Sequence, residues 1–467
     1  MLKAPDILVP VDFSECSINA VRAALGVASP DGDLTLLHVI DESFVRDSVA
    51  AGLGSFDEIT ASMRERAEAD FSAMLEGIET GDVEVERMVV IGIPFVEILK
   101  IARDLDLPMI VMGIRGRSTM KRIAVIPGDG IGPEVIREAV GVIERLRETH
   151  GVELELTHFD WGAEKFLTEG VALPEGALEM LSRDFDAILA GAFGDPRVLS
   201  NKHAEDILLG MRRGLDLYIN LRPVRLLDAR LTPLRDRSPS DVDFVVFREN
   251  TEGAYCGAGG FLKKGTQDEI ATQEELNTRR GVERIIVAAF EYAQKHGRRR
   301  VTMADKSNVQ RYGGDLWQRV FKEVAARFEG IEANHQYVDA MAMFMVLKPA
   351  QYDVIVTSNL FGDILTDLGA ALQGGLGMAA SGNIHPGQVS LFEPVHGSAP
   401  PLAGKSVANP IGSILTAAMM LEYLGQDAAS QAVEKAVSEA VIAGETTRDT
   451  GGTLLTEEAG EAVRRRI

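Results

Sequence analysis

Short apolar runs alternate along the chain with longer stretches whose apolar positions recur at helical spacing, the pattern of buried strands joined by amphipathic helices. Residues 6–12 (Asp-Ile-Leu-Val-Pro-Val-Asp), 33–40, 84–91 and 107–113 predict strands, and Ala20–Val27 and Phe95–Asp104 predict helices among them. Such alternation builds a parallel sheet, because each crossover helix returns the chain to the same end of the sheet. A second series opens with Arg122-Ile-Ala-Val-Ile-Pro-Gly-Asp-Gly-Ile-Gly-Pro-Glu134 and continues through strands near 186–190, 243–247, 300–304 and 353–357. The chain therefore reads as α/β throughout. A front unit over residues 1–119 runs into the second series at Met120 without a Gly/Ser-rich or Pro-rich linker.

A chain of 467 residues exceeds what one core organises. Its 48 Lys and Arg against 70 Asp and Glu give a net charge of −22, so a general polyanion-binding surface is excluded and nucleic acid is not an expected partner. An acidic substrate would need a local basic pocket. Cys16 and Cys256 are too few for a disulfide framework or a structural zinc site. No apolar run approaches the roughly 18 residues of a membrane span, and no leader precedes Asp6, so no membrane partner and a cytoplasmic location are expected.

The most informative stretch runs from Asp353 to Leu368, where an apolar strand passes through Asn359 and Gly362 into a helix carrying Asp363 and Asp367. Carboxylates four apart share one helix face. With Asp339 upstream in Val-Asp-Ala-Met-Ala-Met they form a set of hard oxygen donors suited to Mg²⁺ or Mn²⁺. Arg212, Arg222, Arg248, Tyr255 and Lys306 sit in polar breaks in other apolar segments. Guanidinium forks bind carboxylates bidentately, so three of them suit a small acid with two or more such groups. Gly128-Asp-Gly-Ile-Gly132 makes no dinucleotide fingerprint: its glycines fall Gly-x-Gly-x-Gly, and no acid is convincingly placed about 20 residues on.

Asp-Ile-Leu-Val-Pro-Val-Asp-Phe-Ser, His38-Val-Ile40 and Ile110-Val-Met-Gly-Ile-Arg-Gly-Arg-Ser118 resemble the universal stress protein family. In its nucleotide-binding members this resemblance implies an acid after the first strand and a Gly-x-x-Gly loop that cradles phosphates, matched by Asp12, Gly113 and Gly116. The later Gly-Ser/Thr is replaced by Ile126 inside the next strand, and the family's last strand is missing. The unit reads as truncated, and ATP is not expected on it.

Gly128 to Gly132, followed by Pro133-Glu134, resembles the opening of the β-decarboxylating dehydrogenases, which comprise isopropylmalate, isocitrate, homoisocitrate and tartrate/D-malate enzymes. Further landmarks follow in the family's order: Gly191-Ala-Phe-Gly-Asp-Pro196, Leu217-Tyr-Ile-Asn-Leu-Arg-Pro223, Arg248-Glu-Asn-Thr-Glu-Gly-Ala-Tyr255, Asp305-Lys-Ser-Asn308, the aspartates, and Glu393-Pro-Val-His-Gly-Ser-Ala-Pro400. The resemblance implies a two-domain fold without Rossmann connectivity. A large cofactor domain over 120–217 and 374–467 would flank a small inserted domain over 218–373 that carries the dimer contacts, metal and catalytic residues. It further implies a homodimer with shared active sites. Lys306, reaching across from the partner subunit, and Tyr255 would be the base and acid. Arg212, Arg222 and Arg248 would hold the carboxylates of a 2-hydroxy dicarboxylic acid. Asp363 and Asp367, with the partner subunit's Asp339, would hold the metal against the substrate's C2 hydroxyl.

Substrate choice is expected from Glu205-Asp-Ile-Leu-Leu-Gly-Met-Arg212, where Leu208 and Arg212 project together one turn apart. Glu205, Leu208 and Leu209 match the isopropylmalate pattern, in which the leucines pack on the isopropyl group and the glutamate lies near the nicotinamide. Asp206 stands where isocitrate enzymes carry a small hydroxyl residue and would repel a third carboxylate. Arg248-Glu-Asn-Thr-Glu-Gly leans toward the tartrate/D-malate and homoisocitrate branches. Glu393, His396, Gly397, Ser398, Ala399, Pro400 and Asn409 resemble the cofactor-binding segment. Pro401-Leu402 then carries neither the acid usual in NAD-specific relatives nor the Lys-Tyr common in NADP-specific ones, and Gly452 replaces an NADP-type arginine. NAD is expected, with NADP left open because Arg448 could meet a phosphate. The resemblance implies oxidation and decarboxylation of 3-isopropylmalate to 2-oxoisocaproate in leucine biosynthesis; tartrate/D-malate, homoisocitrate and isocitrate follow in that order. A reading from another class makes the chain a nucleotide-sensing stress protein with a regulated or inactive dehydrogenase domain.

Overall fold

The computed structural model describes residues 6–13, 15–29, 32–42, 54–78, 80–81, 83–112 and 120–467, with Val45 and Val49. Gly113 and Gly116 lie outside the described residues. The chain divides into two compact units, residues 1–119 and 120–467.

In the first unit, β1 (Ile7–Pro10), β2 (Asp33–Asp41), β3 (Glu84–Gly92) and β4 (Met109–Ile110) form a parallel sheet in the order β3-β2-β1-β4. Ile7, Val9, Leu34 and Leu36 are fully buried, as runs covered on both faces require. Phe71, on the long Phe56–Glu76 helix that the sequence reading passed over, completes this core edge-on to Phe13. The strand expected over 107–113 shortens to Met109–Ile110. Leu107 N still donates to Ala102 O of the preceding helix, and Pro108 has no N–H to give a ladder.

The second unit is built on one ten-stranded sheet. Its strands are β5 (Lys121–Gly128), β6 (Leu154–His158), β7 (Ala187–Ala192), β8 (Ile219–Arg225), β9 (Asp243–Glu249), β12 (Arg300–Asp305), β13 (Glu332–Tyr337), β14 (Val354–Thr357), β15 (Ala380–Ile384) and β16 (Ser390–Pro394), in the order β13-β12-β14-β9-β8-β15-β16-β7-β5-β6. β10 (Gly259–Leu262) and β11 (Ile270–Gln273) pair as a separate, exposed hairpin. Residues 219–357 supply one half of the large sheet and both flanks of the chain supply the other. The halves meet where β8 pairs antiparallel with both β9 and β15.

Helices cover both faces of the sheet. Gly132–His150 starts with Pro133 in its first turn, ends on Gly151 in the left-handed conformation, and buries Val135, Ile136, Ala139, Val142, Ile143 and Leu146. β7, between two parallel neighbours, is buried at all six positions. Cross-strand register decides which polar residues share a face. Asn220 faces Arg248, Asn383 faces Asn220, and Ser381 faces Glu393. With alternation along each strand, Arg222, Arg248, Asn220, Asn383 and Glu393 all project to one side.

Candidate active site

β14 ends at Thr357, and the Asn359–Gln373 helix begins at once, bringing Asp363 up against the arginines of β8 and β9. Arg248 Nη1 donates to Asp363 Oδ1, and its Nε and Nη2 donate to Asn359 Oδ1 at 2.9 and 2.7 Å. Arg222 Nη1 donates to Thr366 Oγ1 at 2.6 Å, and its Nη2 lies 3.7 Å from Asp363 Oδ1. Tyr255 Oη donates to Asp363 Oδ2 at 2.8 Å, and Arg248 lies over the tyrosine ring. Gly362 has no room for a side chain here, since a Cβ would stand 2.5 Å from Arg248 Cγ. Arg248 is 1 % exposed and Arg222 7 %, so one half-buried carboxylate faces two buried cations.

That crowding sets the protonation states. Burial opposes ionisation of Asp363 most strongly, but Arg248, the Tyr255 hydroxyl, Arg222 and Arg212 together hold its carboxyl below the ordinary carboxylate range. Burial raises Tyr255, and its hydrogen bond to Asp363 raises it further, so the hydroxyl keeps its proton at neutral pH. Burial, with the like charges of Arg248 and Arg212, lowers Arg222 to about 10, still cationic at pH 7.

Arg212 lies on the Lys202–Gly214 helix and donates through Nη2 to Glu393 Oε1 at 2.9 Å. Leu208 and Leu209 are half-buried on the same helix, Leu208 against the Ile207 and Met211 core, and Glu205 is exposed. Arg213 Nη2 donates to the Tyr255 carbonyl and ties this helix to the tyrosine's turn. Lys202 Nζ holds both oxygens of Asp206, at 2.8 and 2.9 Å. This exposed pair screens part of the Asp206 charge from its surroundings.

Asp367, one turn beyond Asp363, is exposed. Lys306 Nζ pairs with Asp339 Oδ1 at 2.7 Å, and neither residue makes a hydrogen bond or ion pair to the Asp363 cluster. Among the described residues, no group of three His, Cys, Asp or Glu side chains within one chain could hold a metal. Asp363 and Asp367 fit a hard divalent cation in donor chemistry but leave its coordination incomplete.

Glu393 is the penultimate residue of β16, and the segment after the strand packs on the Gly128–Gly132 turn. Ile131 N donates to Ser398 O at 2.9 Å. Gly130, at φ +59°, comes so close that a Cβ would lie 2.0 Å from that oxygen. His396 is buried and its Nδ1 donates to Gly397 O at 3.0 Å, leaving Nε2 as a buried acceptor without a partner. Burial lowers the imidazole pKa, keeping it neutral. Gly397 opens on free space, Ala399 adopts φ +40°, and Pro400 begins a short turn. Asn409 Oδ1 accepts from Ile411 N, and its Nδ2 donates to Asp449. Beside this segment lies a cavity of about 580 Å³ lined by Leu402, Val407, Arg448, Asp449, Gly452, Thr453, Leu454 and Leu455. Leu402, Arg448 and Gly452, the positions the sequence tied to cofactor choice, share that wall. Asp12, in the first unit, lines a separate cavity of about 230 Å³ with His38 and Met112.

Several partners escaped sequence reading: Asn359 and Thr366, which hold Arg248 and Arg222, and Asn250 and Asn383, in the buried network behind Arg212. Asp129 escaped as well; its carboxylate gathers Ala163 N, Gly194 N and His203 Nε2 within 2.8 Å. Their one signal was a polar residue interrupting an apolar segment. No helix among the described residues is long and apolar enough to cross a membrane.

Residues 122–463 match the isocitrate/isopropylmalate dehydrogenase family and residues 5–127 the universal stress protein family. The 3-isopropylmalate dehydrogenase of Thermobifida fusca is 47 % identical over 348 residues, 74 % of this chain and 97 % of that protein. The 3-isopropylmalate dehydrogenase of Frankia casuarinae is 47 % identical over 348 residues, 73 % of this chain and 100 % of that one. The crystal structure of isocitrate dehydrogenase from Methylococcus capsulatus superposes with a TM-score of 0.68 at 37 % identity, covering 74 % of this chain and 99 % of that one. With the arginine and aspartate geometry above, these likenesses make the chain a member of the isocitrate/isopropylmalate dehydrogenase family, an oxidoreductase resembling 3-isopropylmalate dehydrogenase, with a universal stress protein unit ahead of it.

Proposed function

We propose that the protein catalyses NAD-dependent, Mg²⁺- or Mn²⁺-assisted oxidation and decarboxylation of 3-isopropylmalate to 2-oxoisocaproate, the reaction of leucine biosynthesis. The observation that carries this reading is the meeting of Arg222, Arg248 and Tyr255 on Asp363, with Arg212 presented by the helix that bears Leu208 and Leu209. Two acid groups of the substrate would exchange water for guanidinium forks in a site where burial strengthens each bond. The leucines would pack on the isopropyl group. When bound, the cation would polarise the C2 hydroxyl oxygen and the dinucleotide would accept the C2 hydride. Lys306 would take the hydroxyl proton, and Tyr255 would return a proton to C3 once carbon dioxide has left.

A homodimer completes this scheme. Lys306 and Asp339 are paired with each other away from Asp363, and Asp339 has a side chain 67 % exposed. Met343 and Leu347 on the Asp339 helix, Leu360 and Ile364 beside Asp363, and Phe261 and Leu262 on the hairpin are all exposed apolar side chains that a second copy would cover. That copy would bring Lys306 and the third carboxylate, Asp339, to Asp363 and Asp367 in the inserted domain, residues 218–373. The dinucleotide would lie along Glu393, His396–Pro400 and Asn409, with His396 Nε2 accepting from an amino group of the adenine and Glu205 toward the nicotinamide. The missing positive clamp at Pro401, Leu402 and Gly452 favours NAD over NADP.

Initial rates with NAD and NADP on 3-isopropylmalate, D-malate, tartrate, homoisocitrate and isocitrate are expected to give the highest kcat/KM for 3-isopropylmalate with NAD. A preference for D-malate would overturn the substrate assignment. Gly130→Ala is expected to weaken NAD binding by about 10-fold or more, because the new methyl group meets the Ser398 carbonyl at a positive φ. Fluorescence titration with NAD checks it, and an unchanged dissociation constant would separate the Ser398 segment from the cofactor.

A further inference from the structure

Asn383 is the fourth of the five residues of β15 and is fully buried. Its Oδ1 accepts from Asn220 Nδ2 at 3.0 Å and from Asn250 Nδ2 at 2.9 Å. Its Nδ2 donates at 2.9 Å to Glu393 Oε1, the atom that also accepts from Arg212 Nη2. Each of these neighbours leads to a different arginine. Asn220 stands two residues before Arg222, Asn250 two residues after Arg248, and Glu393 holds Arg212 directly. The register places all but Asn250 and Arg212 on one sheet face, and Asn250 is anchored further by donating to Leu217 O.

A primary amide is the side chain of this size that accepts two hydrogen bonds while donating to a carboxylate. An apolar residue would leave two buried amide donors without their acceptor, and a carboxylate would face Glu393 with like charge. We propose that Asn383 is a positioning residue that sets the separation of Arg212, Arg222 and Arg248, and with it the separation of the two carboxylates the site accepts. The inference rests on the reading of these arginines as substrate ligands. A residue that only braced the sheet would, when changed, disturb cofactor and substrate binding alike.

The test compares full-length wild type, Asn383→Asp and the double variant Asn383→Asp with Glu393→Gln. In the double variant the introduced amide can donate to the introduced carboxylate while its carbonyl still accepts from Arg212, so the chain of bonds is restored with donor and acceptor exchanged. Asn383→Asp is expected to raise KM for 3-isopropylmalate about 30-fold, with kcat within about threefold and the NAD dissociation constant, read by fluorescence quenching, within about twofold. The double variant should recover at least about fivefold of that loss in KM. If Asn383→Asp fails to accumulate folded, Asn383→Ser gives the same comparison without an added charge, with KM up about 10-fold. An unchanged KM, a parallel rise in KM and NAD dissociation constant, or a double variant no better than the single one in KM would each overturn the proposal. Absence of turnover of 3-isopropylmalate by the wild type would instead remove the reading on which it rests.

Discussion

Asp363→Asn is expected to lower kcat for 3-isopropylmalate by about a thousandfold, several kcal/mol of transition-state stabilisation. Asp363 alone joins Arg222, Arg248 and the tyrosine hydroxyl, one helical turn before the second carboxylate at Asp367. The amide keeps the shape and a hydrogen-bond acceptor but not the charge. Turnover at saturating and at low Mg²⁺ measures the effect; near-normal turnover at low Mg²⁺ would sink the assignment. The same variant should cost stability, because Arg248 and Arg222 lose their counter-ion. A broken buried pair costs about 3–5 kcal/mol, but the Asp363 side chain is 40 % exposed, so screening reduces the expectation to about 1–2 kcal/mol. The sign with pH is definite. The Asp363 carboxyl is lowered in the folded protein, so its contribution is complete above the unfolded value near 4 and disappears as pH falls through the lower folded value. Urea unfolding of both proteins should show a difference at pH 7 that closes in strong acid.

Tyr255→Phe is expected to reduce kcat by about a hundredfold or more while KM for the acid stays near wild type. The hydroxyl hydrogen-bonds Asp363 rather than solvent alone, and burial raises its pKa, so a proton remains on it at neutral pH to be delivered. Its loss should slow protonation at C3 more than hydride transfer. Parallel assays in the first turnover would then show NADH and carbon dioxide formed together, ahead of 2-oxoisocaproate. A variant with kcat within about threefold of wild type would return Tyr255 to an ordinary packed tyrosine with a satisfied hydroxyl.

The parts of the site legible before the fold was known were those whose chemistry announces itself locally. Asp363 and Asp367 are four apart on one helix, and Arg212 and Leu208 are one turn apart on another, so helical geometry alone relates them. Charged residues breaking apolar strands drew attention to Arg222 and Arg248 for the same reason. What could not be read was pairing across distance. Asn220 meets Asn383 over 163 residues through a strand register, and Arg212 meets Glu393 over 181 through a helix laid on the sheet, neither of which a local pattern encodes. Asp206 shows a local contact that residue type alone did not bring out. Its charge was plain, but its pairing with Lys202, four residues earlier on the same helix, was not drawn.

Alternating apolar runs and helical periods determined by themselves that the chain is α/β, that it carries two units joined near Met120, and that its second unit sets arginines and aspartates in polar breaks of apolar segments. Period and residue type suffice for this, because burying one face of each element is a local requirement. Tertiary structure alone decided which residues touch. It brought two arginines and the tyrosine onto Asp363, left Lys306 with Asp339, and ran a buried amide network behind Arg212. Those contacts depend on which strands pair and in what register, and that choice is made by packing of the whole sheet, not by any segment of it.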